Sequence, residues 1–248
     1  MSSPIRLSKA IVVGASSGVG EAIARRLAES GAQVAIVARR QSELARVIQC
    51  APNLIKHFVH DVTEFDSVPG LFEQIASELD GVDTLVYAAG IMPDCAEGEY
   101  SFAKDHATIA TNLLGAMAWM NVAAARFEAG RAGTIIGISS IAGERGRRGF
   151  PGYCTSKAAL TTYLESLRNR CSRYGVNVVT IKPGFVDTAM TRGKKGLFWL
   201  VSADKVAKRT LALAKRGSSA CAFVPSRWAL VAAIVRALPS FLFKRLNF

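Results

Sequence analysis

The sequence predicts an α/β fold: a single-domain, doubly wound parallel Rossmann sheet of about seven strands, with helices on both faces. Three observations lead there. Short apolar runs alternate with longer helical patterns along the whole chain. Several of those runs are continuously apolar, as strands covered on both faces must be. A glycine-rich segment, 14–20, joins the first run to the first helical pattern, where such sheets receive phosphates.

The elements follow in order. Ala10-Ile11-Val12-Val13 is the first strand, and 18–30 the first helix. Strand 33–37 leads to a helix over 42–50, strand 55–59 to a helix over 67–79, and strand 84–87 to a long helix over 102–128. Within the last, 107–125 carries no charge, but Thr108, Thr111, Asn112, Gly115 and Asn121 suit a helix buried in protein better than one in lipid. Strand 134–138, helix 153–174, strand 177–181, helix 202–215 and strand 222–224 complete the alternation. Parallel strands joined through helices imply right-handed crossovers. No linker, repeat or low-complexity segment intervenes, so one domain is expected over 1–248.

Composition narrows the function. Of 248 residues, 50% are apolar and 20% charged, which supplies a core and excludes global disorder. Cys50, Cys95, Cys154, Cys171 and Cys221 are scattered without a Cys-x-x-Cys, which argues against a disulfide framework or a zinc knuckle and for a reducing compartment. No metal site is expected. No basic-then-apolar leader precedes the first strand, so the expected location is cytoplasmic, with association to the cytoplasmic face of a membrane left open. The net charge of +12 is uneven: 9 basic and 14 acidic residues over 1–125, against 22 and 5 over 126–248. A basic half invites a phosphorylated cofactor, a membrane surface or an acidic substrate, or serves solubility alone. Nucleic acid is not expected, because the cations are spread over several helices without an arm, zinc ligands or an aromatic platform.

Gly14-Ala15-Ser16-Ser17-Gly18-Val19-Gly20 permits a tight turn and close backbone approach to a pyrophosphate, while the helix N-terminus offers free N–H groups. A dinucleotide cofactor is therefore expected here. An NAD site places a carboxylate about 20 residues beyond such a loop. This chain has Ala38 there, followed by Arg39 and Arg40. Arg39 is expected to pair with a 2′-phosphate, which selects NADP(H); Arg40 is expected to be a solvated charge.

Tyr153-Cys154-Thr155-Ser156-Lys157 puts Tyr153 and Lys157 on one helix face. A free phenol has a pKa of about 10, and acid–base work near neutrality asks for a fall of about 3 units, roughly 4 kcal/mol. An ammonium about 4 Å away at an effective dielectric near 20 supplies about that much. Ser140, at the C-terminal edge of the 134–138 strand, offers a hydroxyl for a carbonyl oxygen, and Asn112 is an amide inside an apolar helix that needs partners: either a structural bond or a water held for a proton relay.

Taken jointly, Gly14/Gly18/Gly20, Asp61-Val62, Ala89-Gly90, Asn112, Ser140, Tyr153, Lys157 and Lys182-Pro183-Gly184-Phe185-Val186-Asp187-Thr188 resemble the short-chain dehydrogenase/reductase family over about 9–190. The resemblance implies that Tyr153 is the proton donor and acceptor. Lys157 lowers its pKa and holds the nicotinamide ribose, Ser140 orients the substrate and Asn112 supports a water chain. It also implies cofactor contacts from Gly14, Ser16, Ser17, Gly18, Val19, Gly20, Asp61, Val62, Ala88, Ala89, Gly90, Pro183, Gly184, Val186 and Thr188. The activity implied is hydride transfer between NADP(H) and a carbonyl or secondary alcohol, in a homodimer or homotetramer. One departure is plain: the family's Asn-Asn-Ala-Gly stands here as Tyr87-Ala88-Ala89-Gly90, so local hydrogen bonding must differ. A non-catalytic dinucleotide-binding regulator and a membrane scaffold are the alternatives on the same fold.

Residues 191–200 fall where the family carries a substrate lid, and Phe198, Trp199 and Leu200 favour either an apolar substrate or lid packing. The tail over 226–248 mixes Trp228, Phe241, Leu242 and Phe243 with Arg236, Lys244 and Arg245; it is too short to span a bilayer. It suits either packing on protein or peripheral membrane contact.

Overall fold

A computed structural model describes residues 5, 7–96, 98–194 and 196–245. The alternation foreseen from the sequence is present. Strands β1 (Lys9–Val13), β2 (Gln33–Ala38), β3 (Ile55–Val59), β4 (Thr84–Tyr87), β5 (Gly133–Ile138) and β6 (Val176–Pro183) join the last strand, Ala220–Val224, in one seven-stranded sheet. Its order is β3-β2-β1-β4-β5-β6 and then that last strand, and every pairing is parallel. A second, two-stranded sheet pairs β7 (Val186–Asp187) with β8 (Val201–Ser202), so Ala220–Val224 is β9.

Alternate residues along each strand feed opposite faces. Ala10, Val12, Val34, Ile36, Ile136 and Val179 meet α1 (Gly18–Glu29) and α2 (Gln41–Ile48) on one side. Ile11, Val13, Val37, Leu85, Ile135 and Val178 meet α3 (Val68–Glu78) and the later helices on the other. Because both faces are covered, every residue of β6 is buried, which explains its unbroken apolar reading apart from Asn177, Thr180 and Lys182.

The long helix expected over 102–128 is helical throughout but not uniform. It consists of α4 (Phe102–Ile109), a π-helical turn (Ala110–Leu114) and α5 (Gly115–Gly130). Tyr87, at the end of β4, is buried, and its hydroxyl donates to the Thr111 carbonyl inside that turn at 2.6 Å. A Cβ at Gly115 would lie 2.6 Å from the Tyr87 oxygen and 2.7 Å from the Val62 carbonyl, so the helix passes here only as glycine. Burial drives the Tyr87 phenol well above its usual range, which keeps it a donor. Tyr87 thus ties the end of β4 to the π-helical turn. The helix over 153–174 starts two residues earlier, as α6 (Pro151–Cys171), because Pro151 fits the first turn.

α7 (Ala203–Ala214) closes the first face beside α1, where the Arg26–Asp204 ion pair joins them. The tail forms α8 (Trp228–Ala237) and the short α9 (Ser240–Phe243); Leu246, Asn247 and Phe248 lie outside the described residues. No described helix is long and apolar enough to cross a membrane.

Candidate active site

The strand order reverses direction between β1 and β4, and the loops after these two strands separate there. They touch at Gly14, where a Cβ would lie 2.3 Å from the Ala89 nitrogen. Gly14 and Gly18 both have positive φ, 86° and 61°, which suits glycine alone. Gly20 matters for packing instead. A Cβ there would meet the Gly14 carbonyl oxygen at 2.3 Å, so its bare Cα lets α1 approach β1.

A cavity of about 940 Å³ opens over this edge of the sheet. Gly14, Ser16, Ser17, Gly18 and Val19 form its floor, and Val62, Ala88, Ala89 and Gly90 its near wall. Ser140, Tyr153 and Lys157 stand beyond them, and Pro183, Gly184, Val186 and Thr188 close the far side. Arg39 is on its rim. Gly20, Asp61 and Asn112 lie just behind its lining. Asp61 accepts from the Thr63 backbone and hydroxyl at 3.0 and 2.8 Å and pairs with Arg39 at 3.3 Å. These partners outweigh burial and hold its carboxyl below the usual range.

Arg40 corrects the sequence reading. It is not simply a solvated charge: its guanidinium donates to Ser16 Oγ at 2.8 Å and Ser17 Oγ at 2.9 Å, directly over the phosphate loop. β2 ends at Ala38, and Arg40 caps the start of α2, so its side chain turns back across the loop. Arg39 instead leans toward Asp61. Adjacent arginines carry no sequence signal that says which one turns inward.

The far half of the site is held by a three-part junction of β5, α6 and a 3₁₀ turn, Ile141–Glu144. Ser139 Oγ donates to the Lys157 carbonyl at 2.9 Å, and Ser140 Oγ accepts from Ala142 N at 3.1 Å. A Cβ at Gly143 would lie 2.7 Å from the Lys157 carbonyl carbon, so the turn rests directly on α6. Lys157 is buried, and its ammonium donates to the Ile138 carbonyl at 2.9 Å. Burial without a carboxylate partner lowers its pKa to about 8.

Asn112 is fully buried in the π turn. Its Nδ2 donates to the Ile91 carbonyl at 2.9 Å and Ser156 Oγ at 3.0 Å, and its Oδ1 accepts from Ile91 N at 2.7 Å. The amide therefore anchors the loop after β4 to α6. A Cβ at Gly90 would lie 3.3 Å from Asn112 Oδ1 and 3.5 Å from Lys157 Nζ, so both groups converge on that glycine.

Tyr153 faces Ser140, and Lys157 Nζ is 5.8 Å from its ring centroid. Burial raises the Tyr153 pKa, opposed by a hydrogen bond with Ser140 and by the Arg147 charge. In the protein alone, burial outweighs the neighbouring charges at the phenol, so Tyr153 lies above its usual range rather than below it as argued from the sequence; the Lys157 ammonium donates one of its three N–H groups to Ile138 O.

The residues fit a dinucleotide on the chain's own geometry. The glycines leave a bare backbone floor, and His60 Nδ1, of a residue on the cavity wall, is buried and has no hydrogen-bond partner among the described residues. Sequence reasoning missed several lining groups, among them His60, Met92, Arg147 and Phe150, because they come from loops whose course only the fold sets. Leu197 and Phe198, within the stretch expected as a lid, line the cavity, and Phe198 packs 5.5 Å from Phe185 and 5.1 Å from Trp228. Lys195 lies outside the described residues.

Comparison with known proteins agrees with this geometry. Residues 8–196 match the short chain dehydrogenase family. An uncharacterized oxidoreductase of Mycobacterium tuberculosis is 30% identical over 243 residues, 96% of each chain. Another from Myxococcus xanthus is 34% identical over 185 residues, 73% of each, and nodulation protein G of a Rhizobium species is 33% identical over 183 residues, 74% of this chain and 75% of that one. Among solved structures, a short chain dehydrogenase/reductase family protein superposes with a TM-score of 0.79 at 26% identity, over 91% of this chain and 100% of that one. A structure of ElxO with NADP bound gives 0.78 at 21% identity, over 88% and 98%, and shares the fold. The matched length, the full-length relative and the sheet order lead to one conclusion: this chain belongs to the short-chain dehydrogenase family and is an oxidoreductase of it.

Proposed function

We propose that this protein is an NADP(H)-dependent reductase of ketones or aldehydes, with Tyr153 as its general acid and base. The observation that carries the reading is the convergence of Ser140, Tyr153 and Lys157 on one wall of a cavity whose floor is the glycine loop. When bound, the cofactor supplies a hydride to the carbonyl carbon. Gly14, Gly18 and the α1 N-terminus would hold its pyrophosphate, while Ala88 to Gly90 and Pro183 to Thr188 would flank the nicotinamide half. Ala38 brings no carboxylate against a 2′-phosphate, and Arg40, already resting on Ser16 and Ser17, offers it a fork of donors, with Arg39 beside it.

Ser140 Oγ and Tyr153 Oη orient the carbonyl oxygen, and Tyr153 gives it a proton as the alcohol forms. The Lys157 ammonium, 5.8 Å from the Tyr153 ring centroid, is the group that restores that proton, and Asn112 anchors the loop after β4 to the same helix. Residues 196–200 cover the substrate: Phe198 packs on Trp228, and Trp199, at φ 55°, lies beneath Arg227. The apolar side chains of Ile91, Met92, Phe185 and Phe198 favour a substrate with an apolar body.

The test is NADPH oxidation over ketones graded by chain length, with Tyr153→Phe in parallel. Tyr153→Phe should keep NADPH binding and lose at least ~10³-fold in kcat, the span of one positioned proton donor. Turnover retained by that variant sinks the assignment.

A second reading concerns the tail. Leu230, Ile234, Phe241 and Leu242 are exposed beside Lys244 and Arg245, a surface that suits peripheral contact with an anionic bilayer. Sedimentation with phosphatidylglycerol vesicles tests it. Pelleting should be lost in Leu230→Glu/Ile234→Glu, and pelleting that survives the change removes the tail from membrane contact.

A further inference from the structure

Among the described residues, one cation in the cavity has no carboxylate partner. Arg145-Gly146-Arg147-Arg148 follows the 3₁₀ turn. Arg145 donates to the carbonyls of Val235, at 2.8 Å, and Leu238, reaches Ser240 Oγ at 3.1 Å, and lies 4.2 Å over the Phe243 ring. Arg148 donates to the Lys244 carbonyl. Both arginines are spent on the tail and pin this loop to it. Arg147, between them, faces the other way and lines the cavity with Ser140 and Tyr153.

Its Nε is buried and has no hydrogen-bond partner, and among the described residues its guanidinium has no carboxylate. It rests 5.4 Å from the Phe150 ring centroid. Lys194 lies 4.7 Å from the same centroid, but it is paired with Asp94 at 2.6 Å. The uncompensated charge at this end of the cavity is therefore Arg147. A buried donor without an acceptor destabilises the site, and more so when it is charged. A guanidinium fork matches a carboxylate or phosphate with two parallel bonds. The same cavity has apolar lining from Ile91, Ile141, Met190 and Leu197.

We propose that Arg147 receives an anionic group of the substrate, so that the enzyme acts on carbonyl compounds with an apolar body and a carboxylate or phosphate. This rests on the reductase reading above and narrows its substrate class. The orientation also fits the reaction: Arg147 is close enough to act on the Tyr153 phenol, so an anion bound to it lies beside the proton donor.

The experiment compares medium-chain oxo acids, their neutral methyl esters and the phosphate ester of a hydroxyketone of equal length. In the parent protein kcat/KM should favour an ionised substrate over its ester by roughly tenfold or more, about 1.4 kcal/mol. Whether acid or phosphate leads identifies which anion the site takes. Arg147→Gln should collapse that ratio to about twofold or less, and Arg147→Lys should keep part of it. Because the ratio is read, a common fall in rate from a less acidic Tyr153 does not count. Equal rates for acid and ester in the parent, or a ratio that survives Arg147→Gln, overturn the proposal.

Calorimetric titration of the same acids and esters into NADPH-loaded Tyr153→Phe separates the two readings. Acid binding that depends on Arg147, with no turnover in the parent, sustains the anion receptor and sinks the reductase. Turnover without discrimination does the reverse. No difference between acid and ester in either assay overturns the proposal.

Discussion

Lys157 is an ammonium that the fold keeps in spite of its burial. Its one described acceptor is the Ile138 carbonyl, and burial lowers its pKa from 10.5 to about 8. The unfolded chain therefore binds more protons than the folded one between those values, so the Lys157 contribution to stability is unfavourable below about pH 8 and fades as pH rises toward 10.5. Lys157→Met should accordingly stabilise the cofactor-free protein at pH 7 by roughly 1–3 kcal/mol while destroying turnover. Denaturant titrations at pH 7 and 10 check this, and the gain should shrink at the higher pH. Arg40 and Arg39 separate by partner. Arg40→Ala should weaken NADPH about tenfold or more and NADH far less, since a charge-assisted bond is worth about 1.5–3 kcal/mol. Arg39→Ala, which frees Asp61 as well, should cost less. Fluorescence titration with both cofactors decides which arginine reads the phosphate.

Among the elements, the 3₁₀ turn and α8 form one unit. Glu144 is buried and accepts from Lys182 at 2.7 Å, and Arg236 of α8 also reaches its carboxylate. Lys182 belongs to β6, so one carboxylate fastens sheet, turn and tail. Glu144→Ala leaves the Lys182 ammonium buried without a partner, and removing one member of such a pair costs about 3–5 kcal/mol. Arg236→Ala leaves the inner pair intact and should cost under about 1 kcal/mol, because Arg236 is more than half exposed. Urea unfolding of both variants tests the ranking. The tail's apolar reading has its counterpart here as well: Trp228 and Ala232 are the buried face of α8, and a Cβ at Gly184 would collide with the Trp228 indole. Its packing on protein is observed; the opposite face stays exposed.

For the whole molecule, the two apolar clusters lie on opposite faces of the same sheet and share its strands. Neither face can be lost without exposing the other, so a single cooperative unfolding transition is expected. The cavity is lined from the segments after β1, β2, β3, β4, β5 and β6, so a dinucleotide bound in it would report on the entire sheet. A hundredfold excess of NADPH over its Kd should add about 2.7 kcal/mol and raise Tm by roughly 5–11 °C. NADH at the same concentration should add less. A calorimetric scan showing equal shifts contradicts the 2′-phosphate site.

The chain's order of strands and helices, its glycine loop and the Tyr153/Lys157 spacing were set by local rules: apolar period, turn chemistry and the pitch of a helix. Those rules act over a few residues, so they are visible in the sequence. What the tertiary structure alone decided involves residues far apart along the chain. Tyr87 bonds to Thr111, Arg40 folds over Ser16, Glu144 joins Lys182 to Arg236, and Arg147 is turned into the cavity because its neighbours hold the tail. An arginine's type states its charge and its reach. Which of several carboxylates, carbonyls or cavities it meets is fixed by burial and by competition among partners, and both exist only once the sheet has brought those partners together.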